Sequence, residues 1–252
     1  MNNANRPAYL IVGRGRWGRR IHGLLTKEGR RAEFALGLRG ATSESSAAHE
    51  SRLAQTFLGS AAQIVWLCVP PGAHVPVLIR AAFAAGLHVI VEKPWVYSSE
   101  ETTLLQASGA RARVKSGVHF EYCLLSEIEN WRRRYQHEND LEFGGVFNVQ
   151  AGNHLGISAM QNLGSHLVAM REYAVPHSGW LEIRCGYQLP DQRTVWLDSD
   201  NKRVASIDFL GSKEPIIQRF LARFENSLDG KPFPFDFAFA ERVNENLRLS
   251  SG

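Results

Sequence analysis

At 252 residues the chain is long enough for one large domain or two modest ones, at roughly 100–200 residues each, and for a core that needs no metal or disulfide staple. Its composition, 44% hydrophobic and 21% charged, excludes a wholly disordered polymer. The net charge of +4 is a field too weak for a dedicated nucleic-acid binder, so no nucleic-acid partner is expected.

Ala8-Tyr-Leu-Ile-Val12 is an uncharged, β-prone run that suits a strand buried on both faces. It leads into Gly13-Arg-Gly-Arg-Trp-Gly18, after which Arg19–Lys27 reads as a helix with Ile21, Leu24 and Leu25 on one face. A second strand, Glu33–Leu38, ends at Arg39, and a helix is predicted over Ala47–Thr56. Gln63–Val69 is a strand stopped by Pro70-Pro71. His74–Gly86 reads as a helix that tolerates Pro76 in its first turn, and Leu87–Val91 as another strand. Beyond residue 120 the pattern changes. An amphipathic helix, Leu124–Tyr135, is followed by closely spaced strands over Val146–Ala151, Leu181–Leu189, Arg193–Leu197 and Val204–Leu210. A helix over Ser158–Tyr173 interrupts them, and Asp198-Ser-Asp-Asn201 reads as a turn. Two helices, Pro215–Leu228 and Phe237–Leu249, end the chain. No apolar run reaches the roughly 18 residues of a membrane helix, and Met1–Pro7 lacks the apolar stretch of a signal peptide. No membrane partner and a cytoplasmic location are therefore expected. Three scattered cysteines, Cys68, Cys123 and Cys185, fit a reducing compartment, and no residues show metal-ligand spacing, so no metal is expected.

The spacing Gly13-x-Gly15-x-x-Gly18, between a buried strand and a helix, is a dinucleotide fingerprint. The first glycine permits the tight turn, the second lets backbone approach a pyrophosphate, and the third allows close helix–strand packing. The helix N-terminus then offers free N–H groups to the anion. Arg16 and Trp17 lie inside this loop and are candidate cofactor contacts. Binding NAD commonly uses an acidic residue at the end of the second strand, to accept bonds from the ribose 2′-hydroxyl. Here that place is taken by Arg39, 21 residues past Gly18, followed by Thr42 and Ser43. A guanidinium binds a 2′-phosphate that a carboxylate would repel, so NADP(H) is favoured over NAD(H). The expected fold class is α/β. A Rossmann doubly wound parallel sheet is expected over residues 1–120, with a smaller α+β domain on a mainly antiparallel sheet over 121–252, whose last helices can pack back on the first domain.

From these residues onward the chain resembles the Gfo/Idh/MocA family, the group of glucose–fructose oxidoreductase and inositol dehydrogenase. The Gly13–Gly18 loop, Val69-Pro70-Pro71-Gly-Ala-His74 and Gly86-Leu-His-Val-Ile-Val-Glu92-Lys93-Pro94 match its signatures in order and spacing. Asn162-Leu-Gly-Ser-His166 is similar to its "DxGxH" helix, and Phe143-Gly-Gly-Val146 to its turn into the second sheet. Two departures fall on the substrate side: Asn162 stands where the family has aspartate, and the chain after His166 is shorter than usual for the family.

The resemblance implies that Pro70, His74, Glu92 and Lys93 line the cofactor, and that Lys93 and His166 are catalytic. A lysine beside a reacting oxygen stabilises negative charge that develops there, and histidine is the natural general acid/base near neutrality. Asn162 can orient by hydrogen bonds but cannot take a proton. Tyr122, Asn162 and His154 are candidate substrate contacts, as are Glu121 and His119. The function expected is NADP(H)-dependent hydride transfer at a C–O or C=N centre of a small polar, sugar-like or imine metabolite. The alternative is a nucleotide-binding regulatory or scaffold protein that has lost turnover. Trp180, Ile183, Tyr187, Val195 and Leu197 are expected not to fit on one side of the second sheet. A homodimer, or a dimer of dimers, through that sheet follows from this.

Overall fold

Tyr9–Val12 (β1) is buried at every position, as a strand with neighbours on both sides and both faces must be. In the computed structural model, which describes residues 6–35, 46–153 and 156–249, it lies inside a five-stranded parallel sheet. The other strands are Ala32–Phe34 (β2), Ile64–Leu67 (β3), His88–Val91 (β4) and Ser116–Val118 (β5), in the order β2-β1-β3-β4-β5. Between them run the helices Arg16–Lys27 (α1), Ser46–Leu58 (α2), His74–Ala84 (α3) and Ser99–Ala112 (α4). The chain leaves β1 for β2 on one side and continues to β3 on the other. The order therefore reverses between β1 and β3, and a doubly wound sheet binds ligands at the carboxyl ends of strands at such a point. The first helix starts at Arg16, three residues before the expected Arg19, because Gly18 already lies within its first turn.

The chain divides into two compact units. The first takes the described residues of Met1–Glu92 with Tyr97–His119 and a late segment, Glu225–Ala238. That segment is tied in by the Val118 N–H, which donates to the Phe235 carbonyl at 2.8 Å, and by Phe235 and Phe237, which are fully buried. Glu225 clamps the Arg30 guanidinium through both carboxylate oxygens, at 2.7 and 3.0 Å, and accepts from the Tyr9 hydroxyl at 2.6 Å. Burial and the Glu225 carboxylate push the Tyr9 phenol well above its ordinary pKa.

The second unit holds Lys93–Val96, Phe120–Phe224 and the described residues from Phe239 onward. Its sheet has the order β7-β6-β8-β9, built from Glu142–Val149 (β6), Gly179–Tyr187 (β7), Gln192–Ser199 (β8) and Lys202–Asp208 (β9). Only β6 and β7 pair in parallel, because a helix separates them in sequence whereas β8 and β9 follow by short turns. The β8–β9 turn places Asp200 and Asn201 at φ of 50° and 59°, the left-handed region that Asp and Asn tolerate best. The remaining helices are Ser126–Tyr135 (α5), Ser165–Ala174 (α6), Ile216–Leu228 (α7) and Phe237–Leu249 (α8). None of the described helices is long and apolar enough to cross a membrane.

The register corrects one expectation. Phe143 pairs with Trp180 on one side and Leu197 on the other, Gly145 with Ile183 and Val195, and Val149 with Tyr187. Paired residues point to one side of a sheet, and this side faces α6: Arg171 of that helix lies over the Trp180 ring, 4.4 Å from its centroid. All five apolar residues thus share one face. A bulge between Phe143 and Gly144 absorbs Leu181 and restores the alternation.

Candidate functional site

The glycine loop leaves β1 with Gly13 at φ 108°, a conformation L side chains rarely adopt. A methyl group on Gly13 would meet the Cys68 carbonyl oxygen at 2.3 Å, and one on Gly18 the Gly13 carbonyl oxygen at 1.9 Å. Both glycines are therefore required for the loop to close on its own backbone. Gly15 differs, since nothing lies within 4 Å of where its Cβ would be. It is also the N-cap of α1, with no side-chain cap and no acidic residue in the first turn. An uncapped helix start with open space before it is a fit for a pyrophosphate, and the NAD-type cofactor implied by the fingerprint suits this cradle.

The arginines around the loop separate into two kinds. Arg19 donates to the Arg14 carbonyl at 3.0 Å, Arg14 lies over Phe34 and Arg20 over Trp17. Arg16 is exposed and is the member of the group with no side-chain partner among the described residues. Trp17 packs 6.0 Å from the His119 ring, and its shielded indole N–H meets no acceptor among the described residues. Pro70, on the turn after β3, and His74, at the start of α3, stand exposed, and in that turn the Gly72 carbonyl accepts from the Tyr97 hydroxyl at 3.3 Å. Sequence reasoning did not find Tyr97, whose burial pushes its phenol up to about 12. Glu92 follows β4 directly, with its carboxylate turned inward. It accepts from the Trp66 indole N–H at 2.8 Å and meets His119 Nδ1 at 3.2 Å. His119 is fully buried and so is part of this unit's interior. Arg39, Thr42, Ser43 and His154 lie outside the described residues.

The next residue in the chain, Lys93, belongs to the second unit. Its ammonium donates to Asn162 twice, to the backbone carbonyl at 2.9 Å and to Oδ1 at 2.7 Å. The same amide donates from Nδ2 to the Tyr187 hydroxyl at 2.7 Å. The orientation follows from chemistry: an ammonium only donates, so the oxygen must face it and the nitrogen must face tyrosine. Asn162 sits in a π-helical turn, Met160–Gly164, that opens α6. The expected single helix over Ser158–Tyr173 is therefore broken at this point, a place where π-turns mark functional positions. One turn on, His166 is buried, edge-on to Tyr122 at 4.7 Å and stacked on Phe147 at 5.3 Å between centroids. Lys93, Asn162, His166, Tyr122 and Tyr187 are thus gathered in one unit. Tyr187 was missed as a polar contact because its alternation along the strand marked it only as a packing residue. Burial pushes the Cys185 thiol up to about 12 and the Cys68 thiol well above its usual range, which excludes both as thiolate nucleophiles near neutrality.

Residues 8–120 match the model of the oxidoreductase family with an NAD-binding Rossmann fold, GFO_IDH_MocA. No curated protein sequence matches the chain significantly. Among solved structures the fold is similar to UDP-N-acetylglucosamine 3-dehydrogenase GnnA from Acidithiobacillus ferrooxidans, with a TM-score of 0.74, 15% identity and 97% of each chain covered. It is similar also to the WlbA dehydrogenase from Thermus thermophilus, in complex with NAD and UDP-GlcNAcA, with a TM-score of 0.72 and 15% identity over 97% of this chain and 94% of that one. The WlbA dehydrogenase from Bordetella pertussis, in complex with NADH and UDP-GlcNAcA, gives a TM-score of 0.70 and 16% identity over 98% and 97%. The glycine cradle, the Glu92-Lys93-Pro94 strand end and the match over residues 8–120 lead to one conclusion: residues 8–120 are similar to the NAD-binding Rossmann domain of the Gfo/Idh/MocA oxidoreductase family.

Proposed function

We propose that the protein transfers hydride between a nicotinamide dinucleotide and a C–O or C=N carbon of a sugar-like metabolite. The observation that carries this reading is Lys93, held by two neutral acceptors of Asn162 at 2.7 and 2.9 Å in the same unit as buried His166. The bound dinucleotide supplies or accepts the hydride. Lys93 donates to the substrate oxygen or nitrogen and stabilises charge that develops there, and His166 gives or takes the proton. Asn162 positions the ammonium without a charge of its own, and an amide cannot join a proton relay. The sugar-like substrate class is supported by the relatives, one a UDP-N-acetylglucosamine dehydrogenase and two solved with UDP-GlcNAcA. The test is reduced-nicotinamide absorbance with NAD⁺ or NADP⁺ and a panel of sugars and nucleotide-linked sugars. Tight dinucleotide binding with no turnover on the whole panel would favour a sensing role instead.

The finer proposal is a preference for NADP(H), supported by Arg39 in place of an acidic ribose ligand. NADPH is expected to bind more tightly than NADH in fluorescence titration. Arg39→Asp is expected to reverse the order, because it exchanges a phosphate ligand for a hydroxyl acceptor and a repulsive charge. Equal affinities in the unsubstituted protein would remove Arg39 from cofactor choice. Assembly as a homodimer or a dimer of dimers through the second sheet is also proposed. Its support is now the face away from α6, since the five apolar residues first invoked share the other face, and exposed Leu181 and Val204 lie on β7 and β9. Light scattering is expected to give at least twice the 28.2 kDa chain mass, and a single-chain mass at micromolar concentration rejects the dimer.

A further inference from the structure

Arg193 on β8 has a side chain that the fold does not fully use. One Nη donates to the Tyr122 hydroxyl at 3.0 Å, and the guanidinium lies over the Phe147 ring, 5.1 Å from its centroid. Its Nε is shielded from solvent and meets no acceptor among the described residues. Arg171 of the same unit also leaves its Nε without an acceptor among the described residues, but it differs in having a counter-ion, as do four further arginines of the unit. Arg171, Arg184, Arg203, Arg219 and Arg223 each meet a carboxylate, those of Glu172, Glu182, Asp198, Glu214 and Glu129. Among the described residues no carboxylate meets Arg193. A shielded donor without an acceptor, on a cation without a counter-ion, calls for an explanation.

The surroundings supply one. Tyr122 and Phe147, which hold Arg193, are the same two rings that hold His166. Cys185, Phe147 and Arg193 form one row across the face of the sheet that carries α6. Tyr187, which fixes Asn162 and through it Lys93, stands in the next row on that face. Strand spacing and rise put the Arg193 and Tyr187 backbones about 12 Å apart, a span that two side chains and one sugar ring can fill. With one Nη engaged by Tyr122, the edge formed by Nε and the other Nη keeps two parallel N–H groups, the fork that fits the two oxygens of a carboxylate.

We propose that Arg193 is the carboxylate-binding residue of the substrate site, and that the protein acts on an acidic sugar, a uronate, in preference to its neutral counterpart. This rests on the oxidoreductase reading above. The incoming carboxylate provides the acceptor that Nε lacks and the counter-ion that the sheet withholds. A half-buried aromatic setting strengthens such a bond relative to water.

The test uses two probes that differ at one group, UDP-GlcNAcA and UDP-N-acetylglucosamine, titrated calorimetrically into the full chain with NADH or NADPH present. The acid is expected to bind at least about tenfold more tightly, the gain of a charge-assisted fork. In Arg193→Gln that ratio is expected to fall to within about threefold of unity, with Arg193→Lys between the two because it keeps charge but not the fork. If the glutamine variant does not fold, the lysine variant alone must still lower the ratio. Equal affinities in the unsubstituted protein, an equal loss for both probes on substitution, or binding of neither probe overturns the proposal. Both probes carry the diphosphate, so a phosphate-binding role would weaken them alike. Turnover measured in parallel separates the two readings. Oxidation of the neutral sugar without acid preference overturns the carboxylate site and leaves the oxidoreductase. Acid-selective binding with no turnover of either probe leaves the site and overturns the chemistry.

Discussion

Lys93→Ala is expected to lower turnover by about 10²–10³-fold or more while changing dinucleotide affinity by less than about tenfold. The ammonium is positioned by two acceptors of one residue, at 2.7 and 2.9 Å, and neither belongs to the glycine cradle. Its proposed work is on charge that exists mainly in the transition state, so its loss falls on kcat. Truncation also leaves the Asn162 amide with one partner, Tyr187, free to rotate into the vacated space. Steady-state kinetics with the best substrate of the panel, beside fluorescence titration of the dinucleotide, separate the two effects. Near-normal turnover would move catalysis to another residue. A parallel collapse of dinucleotide affinity would make Lys93 a cofactor ligand only.

Glu225→Ala is expected to destabilise the protein by about 3–5 kcal/mol, the usual cost of removing one partner of a buried ion pair. The Arg30 side chain is 7% exposed and that of Glu225 18%, so water cannot replace the lost carboxylate well. Two guanidinium bonds and the bond from the fully buried Tyr9 hydroxyl vanish together. Glu28, the other carboxylate that meets Arg30, softens the loss but reaches a different nitrogen. For a chain of this size the melting temperature is expected to fall by on the order of 10 °C, measured by calorimetry or circular dichroism. Glu225→Gln is expected to cost less, because its amide oxygen still accepts from Arg30. A shift below about 2 °C for the alanine variant would show that the clamp contributes no more than a surface pair.

The glycine cradle was legible because its logic is local. The strand, the three glycines and the helix lie within one short stretch, and a positive φ at the first glycine is a demand of the turn itself. Lys93 and His166 were legible for another reason, as members of motifs. What each of them touches was not. The Lys93–Asn162 pair joins residues 69 apart, and the hydrogen bonds expected of Asn162 go to Lys93 and Tyr187. Glu92 read as a cofactor residue, yet its carboxylate meets Trp66 and His119 in the interior of the first unit.

Sequence alone thus determined most of the strands, helices and turns, though not α4, β5 or the π-turn before α6, since periodicity and turn chemistry act over a few residues. The Asp200-Asn201 turn and the parallel first half are of this kind. Tertiary structure alone decided that Glu225–Ala238 belongs with the first unit, through a tyrosine–glutamate bond that spans 216 residues. It also decided that the five apolar residues of the second sheet share a face, because one bulge resets the alternation that a straight strand would impose. It decided as well that Arg193 meets no carboxylate among the described residues, where five other arginines of its unit have one. Such pairings depend on which surfaces meet once the chain is folded, and no local propensity carries that information.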